Sequence, residues 1–93
     1  MIKTFKCKET KKIFDRSFSK KLPQDIQPIV YRKLLMIDSA IDVEDLKIPP
    51  ANRLEKLSGD RTNQYSIRVN KQFRICFVWE DGFAKDVELV DYH

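Results

Sequence analysis

The sequence predicts an α+β domain, a small antiparallel sheet with two N-terminal helices on one face. Three observations lead there. Apolar residues recur at helical spacing between residues 9 and 41. From residue 53 onward the pattern changes to alternation, the period of a half-buried strand. The chain has 93 residues, which allows one core and one domain, taken here as residues 1–93.

The elements follow in order. Residues 2–6 alternate around Ile2 and Phe5 and read as a short first strand. Residues 9–18 carry Ile13, Phe14 and Phe18 at helical spacing. Leu22-Pro23 ends that pattern, Asp25 is placed to cap the next helix, and Pro28 falls in its first turn, where a missing N–H is harmless. Ile26, Val30, Leu34, Ile37 and Ile41 then form one apolar stripe. Two such helices in succession make an antiparallel pair. Residues 42–52 are a connector with a helical turn at Val43–Leu46, closed by Pro49-Pro50.

The second half is β. Residues 53–57 alternate weakly, and 64–69 alternate well, with Tyr65, Ile67 and Val69 on one side. Residues 73–80 place Phe73, Ile75, Phe77 and Trp79 together, and 85–92 form the last strand. Val69 and Phe73 both face the core, so the loop between them holds an odd number of residues, most simply Asn70-Lys71-Gln72. That register sets Arg68 across from Arg74, on the face away from the helices. Like charges opposed on a sheet are unfavourable, which marks the pair either as an anion site or as two splayed surface side chains. The next hairpin turns at Asp81-Gly82. It pairs Arg74 with Val90, and Tyr92 falls beside them.

Composition narrows the function. Six Phe, three Tyr and one Trp argue for a real core rather than disorder. The length excludes a barrel enzyme or a full dinucleotide-binding fold. No apolar run is long enough for a signal peptide or a membrane span, so the protein is expected to be cytoplasmic and away from membranes. Cys7 and Cys76 lack metal spacing and read as buried thiols. With His93 as the single histidine, neither a metal site nor a cofactor is expected.

The net charge of +4 is unevenly spread. Residues 3–21 hold eight basic residues against Glu9 and Asp15, mostly Lys, as on a solvated helix face. Residues 53–76 hold Arg53, Lys56, Arg61, Arg68, Lys71 and Arg74 against Glu55 and Asp60, a set richer in Arg and better suited to phosphate. An anionic partner follows, with nucleic acid first. Arg68, Arg74 and Tyr92 on one sheet face, with Asp91 and His93 at its end, suit RNA cleavage by the RNA's own 2′-hydroxyl. That reaction needs a proton acceptor, a proton donor and cations for the phosphorane. The alternative for Asp91-Tyr92-His93 is a frayed tail.

The chain also resembles the HigB branch of the RelE/ParE toxin superfamily, the plasmid maintenance system killer proteins. The motifs are Leu-x-x-Leu-x-Gly-[Asp/Asn]-Arg at 54–61, Ser-Ile-Arg-Val at 66–69, Gln-x-Arg-x-Cys-Phe at 72–77 and the terminal Asp-Tyr-His. The opening Met-Ile-Lys-x-Phe and Leu-x-x-Ile-Asp-x-Ala at 34–40 match too. The resemblance implies a RelE-like β-α-α-β-β-β fold and a ribosome-dependent mRNA endonuclease of a type II toxin–antitoxin system. It implies a HigA-like helix-turn-helix antitoxin, with operator DNA contacted only through the antitoxin complex. Carried over by residue, it makes Arg74 the phosphate and transition-state cation and Asp91, Tyr92 and His93 the terminal catalytic triplet. Arg53, Lys56, Arg61, Arg68 and Lys71 become contacts to ribosomal RNA or message. Some relatives have His and Lys where this chain has Glu55 and Ser58, so Glu55 is a candidate base or else a surface carboxylate. The competing functions are a ParE-like toxin that binds gyrase and a non-catalytic module of a repressor complex.

Overall fold

Four antiparallel strands in the order β1-β2-β3-β4 carry two helices on one face. The computed structural model describes residues 1–58 and 63–92. The elements are α1 (Lys8–Phe14), α2 (Gln27–Ser39), β1 (Glu55–Lys56), β2 (Gln64–Arg68), β3 (Phe73–Glu80) and β4 (Phe83–Asp91). Short 3-10 turns cover Gln24–Ile26, Val43–Lys47 and Pro50–Asn52.

The core lies between the helices and the sheet. Val30, Leu34 and Ile37 from α2 are fully buried with Ile67, Ile75 and Val87 from the sheet, and Phe77 is nearly so. Burying each such side chain contributes about 1.5–3 kcal/mol, the main source of stability in so small a domain.

Four expectations are corrected. The first strand is reduced to isolated parallel bridges, Ile2 to Ala84 and Phe5 to Val87, because β4 is irregular at that point. Asp86 adopts positive φ, and its N–H donates to Thr4 Oγ1 at 2.9 Å. Helix α1 stops at Phe14 and Arg16 turns left-handed, so Phe18 leaves the stripe and is 53% exposed. Helix α2 ends at Ser39, with Ala40 extended, which leaves Ile41 87% exposed. Asp25 makes no capping bond. Instead Gln27 ties the helix entrance to the preceding loop, donating to the carbonyls of Ser19 (2.8 Å) and Leu22 (3.0 Å) and accepting from the Ser19 N–H (3.1 Å).

The connector is held by a real cap and a buried amide. Asp42 and Asp45 form a reciprocal capping box around the turn Val43–Lys47. Asn52, fully buried, donates to the Leu46 carbonyl at 3.1 Å and accepts from the Lys33 ammonium on α2. This fixes where the chain emerges to enter the sheet.

Both hairpins follow their local chemistry. Asn70 Oδ1 accepts from the N–H groups of Gln72 (2.8 Å) and Phe73 (2.7 Å), closing the three-residue loop and setting Arg68 opposite Arg74. Asp81 and Gly82, both at positive φ, make the tight turn between β3 and β4. A bulge between Cys76 and Val78 shifts the outer part of that hairpin, while Arg74 stays opposite Val90. Neither cysteine forms a disulfide; Cys76 is buried and Cys7 half-buried. Among the described residues no helix is long and apolar enough to cross a membrane.

Candidate functional site

The ladder decides which side chains share the face away from the helices. Ser66, Arg68, Arg74 and Cys76 alternate with the core residues Ile67 and Ile75 and therefore occupy that face, with Glu88 and Val90 beside them on β4. Glu55 pairs with Ser66 and joins the group from β1. Arg74 is the centre of this surface, yet it is only 8% exposed.

Its guanidinium is held from two directions. Nε donates to Ser66 Oγ at 2.8 Å, and Nη2 donates to the carbonyls of Arg53 (2.6 Å) and Ser66 (3.2 Å). Glu55 Oε2 lies 3.9 Å from Nη2, a loose ion pair with a carboxylate whose side chain is 59% exposed. A guanidinium has five N–H donors. Among the described residues three of these are engaged, and the two on Nη1 are not. Arg53 adopts a left-handed conformation at φ 45°, so its carbonyl points to Arg74 while its own side chain remains exposed.

The other candidates are brought to this place to different degrees. Arg68 is directly opposite Arg74 and half-buried. Lys56 pairs with Tyr65, so its alternation puts it on the helix side of the edge strand, away from Arg74. Lys71 is exposed in the hairpin loop. Asp91 pairs with Phe73, on the opposite parity from Arg74, and accepts from Gln72 Nε2 at 3.0 Å. The Tyr92 N–H donates to the Gln72 carbonyl at 2.6 Å, and the residue is 37% exposed at the parity of Val90. Gln72 thus anchors both Asp91 and Tyr92, which distinguishes these two from a frayed tail. Arg61 and His93 lie outside the described residues. No group of His, Cys, Asp or Glu among the described residues could hold a metal ion. A groove of about 480 Å³ lies on the helical side instead, lined by Ile13, Arg16, Phe18, Gln27, Pro28 and Tyr31 among others.

Comparison with known proteins places this architecture. Residues 3–93 match the HigB-like toxin family, described as the RelE-like toxin of the type II toxin–antitoxin system HigB. The chain belongs to the HigB-like toxin family. Toxin HigB-1 of Vibrio cholerae is 46% identical over 68 residues, covering 73% of this chain and 72% of that protein. Endoribonuclease HigB of Proteus vulgaris is 36% identical over 94 residues, covering 100% of both. Among solved structures, the Staphylococcus aureus YoeB–YefM complex matches with a TM-score of 0.63 at 17% identity, covering 100% of this chain and 98% of that one. YafQ from Escherichia coli matches with a TM-score of 0.58 at 10% identity, covering 98% and 93%. These last two likenesses concern the fold. As a type II toxin, the HigB-like chain has a cognate antitoxin as its partner.

Two residues of this HigB-like toxin escaped sequence reasoning. Ser66 was legible only as part of a motif, and its hydroxyl proves to be the acceptor for Arg74 Nε. Asn52 looked like connector, and it carries the buried hydrogen bonds that place Arg53. A small polar residue on the outer parity of a strand, diagonal to an arginine, is the signal that could have identified Ser66.

Proposed function

We propose that this type II toxin is an endoribonuclease that cleaves mRNA on the ribosome and is neutralised by a HigA-like helix-turn-helix antitoxin. The observation that carries the reading is the guanidinium of Arg74, clamped on the sheet face with its Nη1 donors unengaged among the described residues. It occurs in a chain related over its whole length to a protein named Endoribonuclease HigB. Arg74 is a fixed cation, and its pKa is too high for proton transfer. Its work is to bind the scissile phosphate and stabilise the charge that grows on the phosphorane, which needs preorganised donors.

Proton transfer then falls to other groups. The 2′-hydroxyl gives its proton to Glu55, which shares the face of Arg74, or to the terminal His93, as its oxygen attacks phosphorus. The P–O5′ bond breaks, and the leaving 5′-oxygen takes a proton from His93, leaving a 2′,3′-cyclic phosphate and a 5′-hydroxyl. Tyr92 offers a ring for an unpaired base. Arg53, Arg61, Arg68 and Lys71 contact the RNA backbone, and Lys56 contacts it from the sheet edge. The ribosome presents the message, which is how so short a chain can act as a nuclease.

The test is purified toxin added to ribosomes programmed with a defined message, with 5′ ends mapped. Cuts within the coding region by wild type, and none by folded Arg74→Ala, support the reading. Intact message together with DNA damage on expression would replace it with a gyrase-directed toxin. Glu55→Gln identifies the proton acceptor: lost cleavage assigns it to Glu55, retained cleavage to His93.

A further inference from the structure

We infer that Ser66 is a positioning residue for the cleavage step, acting through Arg74. This rests on the nuclease reading above and adds the device that orients its central cation. Arg74 alone could rotate about its long side chain and lose its aim. Ser66 removes that freedom because it holds the guanidinium at two points, Oγ to Nε at 2.8 Å and its carbonyl to Nη2 at 3.2 Å. Ser66 is fully buried and shares the outer face with Arg74 across the β2–β3 ladder.

The Arg53 carbonyl, 2.6 Å from Nη2, closes the clamp from the other side. With Nε and Nη2 occupied, neither of the forked faces that include them is available to phosphate. Arg74 therefore meets its ligand end-on through Nη1, with Arg68 opposite it on the neighbouring strand. The clamp serves a second purpose. It directs three donors of a mostly buried cation at neutral oxygens, and Glu55, the carboxylate that pairs with it among the described residues, stays at 3.9 Å. The positive charge thus remains available for substrate instead of being neutralised by a close ion pair.

The experiment is single-turnover cleavage of ribosome-bound message by wild type, Ser66→Ala, Ser66→Thr, Arg74→Ala and the Ser66→Ala/Arg74→Ala double variant. Thermal unfolding is measured in parallel. Misaiming the cation should lower the cleavage rate of Ser66→Ala by about tenfold to a hundredfold. The toxin concentration at half-maximal rate should stay within about twofold. Ser66→Thr, which keeps the hydroxyl, should recover most of the rate. In the Arg74→Ala background, removing Ser66 should change the residual rate by less than about twofold, since its partner is already gone. A merely structural serine would instead lower activity in proportion to the folded fraction and add its effect to that of Arg74→Ala. Wild-type rate in Ser66→Ala, or additive effects in the double variant, overturns the inference and leaves the nuclease reading standing. A wild-type protein that leaves message uncut overturns both.

Discussion

Replacing Asn52 by Ala tests the idea that one buried amide holds the connector in place. The side chain is fully buried, donates to the Leu46 carbonyl at 3.1 Å, and accepts from Lys33 Nζ. Its loss strands a buried carbonyl, which costs about 1–3 kcal/mol. It also removes the acceptor of a charged donor. Lys33 is only half-buried, so that loss is discounted to about 1 kcal/mol or less. The sum is about 1–4 kcal/mol, against a total stability of about 5–14 kcal/mol for a domain of this length. With a urea dependence of about 1–1.5 kcal/mol per molar, the unfolding midpoint should fall by about 2 M. The assay is urea unfolding followed by Trp79 fluorescence and by far-ultraviolet circular dichroism, whose coincidence checks two-state behaviour. Asn52→Asp, which keeps the acceptor and loses the amide donor, should fall between wild type and Asn52→Ala. A midpoint within about 0.3 M of wild type for Asn52→Ala would refute the reasoning.

Other outcomes follow from the same contacts. Arg68→Thr removes a like charge facing Arg74, so it should raise stability by about 0.2–1 kcal/mol while weakening growth arrest on expression, read by paired melting and plating. Leu34→Ala, at a fully buried position on α2, should cost about 2–5 kcal/mol and is checked by the same urea titration. Burial lowers the Lys33 amine below its ordinary value of 10.5, with the neighbouring Arg32 charge adding to the effect. The folded state thus holds the Lys33 proton less tightly than the unfolded chain does. Stability gains a contribution as pH rises through the lowered value toward 10.5, and a wild type minus Lys33→Met difference curve should show that rise. Ser19 donates to Glu9 at 2.6 Å and is the main reason that carboxyl lies below 4.5, so the Glu9 titration followed by NMR should move upward in Ser19→Ala.

The legibility of this chain differed from element to element. Helix α2 was readable because Val30, Leu34 and Ile37 report one buried face, and burial of a face is what periodicity encodes. The opposition of Arg68 and Arg74 was readable because hairpin parity admits few registers once two core residues are known. The ends of helices were harder. Phe18 and Ile41 extend the apolar spacing by one turn each, but the backbone had already left the helix at Phe14 and Ser39. Periodicity does not register such an exit. The first strand failed for a related reason. Its pairing depends on the regularity of β4, which bends at Asp86, more than eighty residues away.

By itself the sequence determined the α+β class, the alternation that separates core from outer face, and the place of Arg74 on that outer face opposite Arg68. All of these depend on local spacing and on the chemistry of single residue types. Only the tertiary structure decided how that cation is held. Its three acceptors come from Ser66 on β2 and from Arg53, whose left-handed backbone follows a buried Asn52. The structure also separated Lys56 and Asp91 from the Arg74 face, since each belongs to the other parity of its strand. Hydrogen-bond direction and face membership at a sheet edge arise from register and backbone conformation between distant segments, and residue identity alone carries neither.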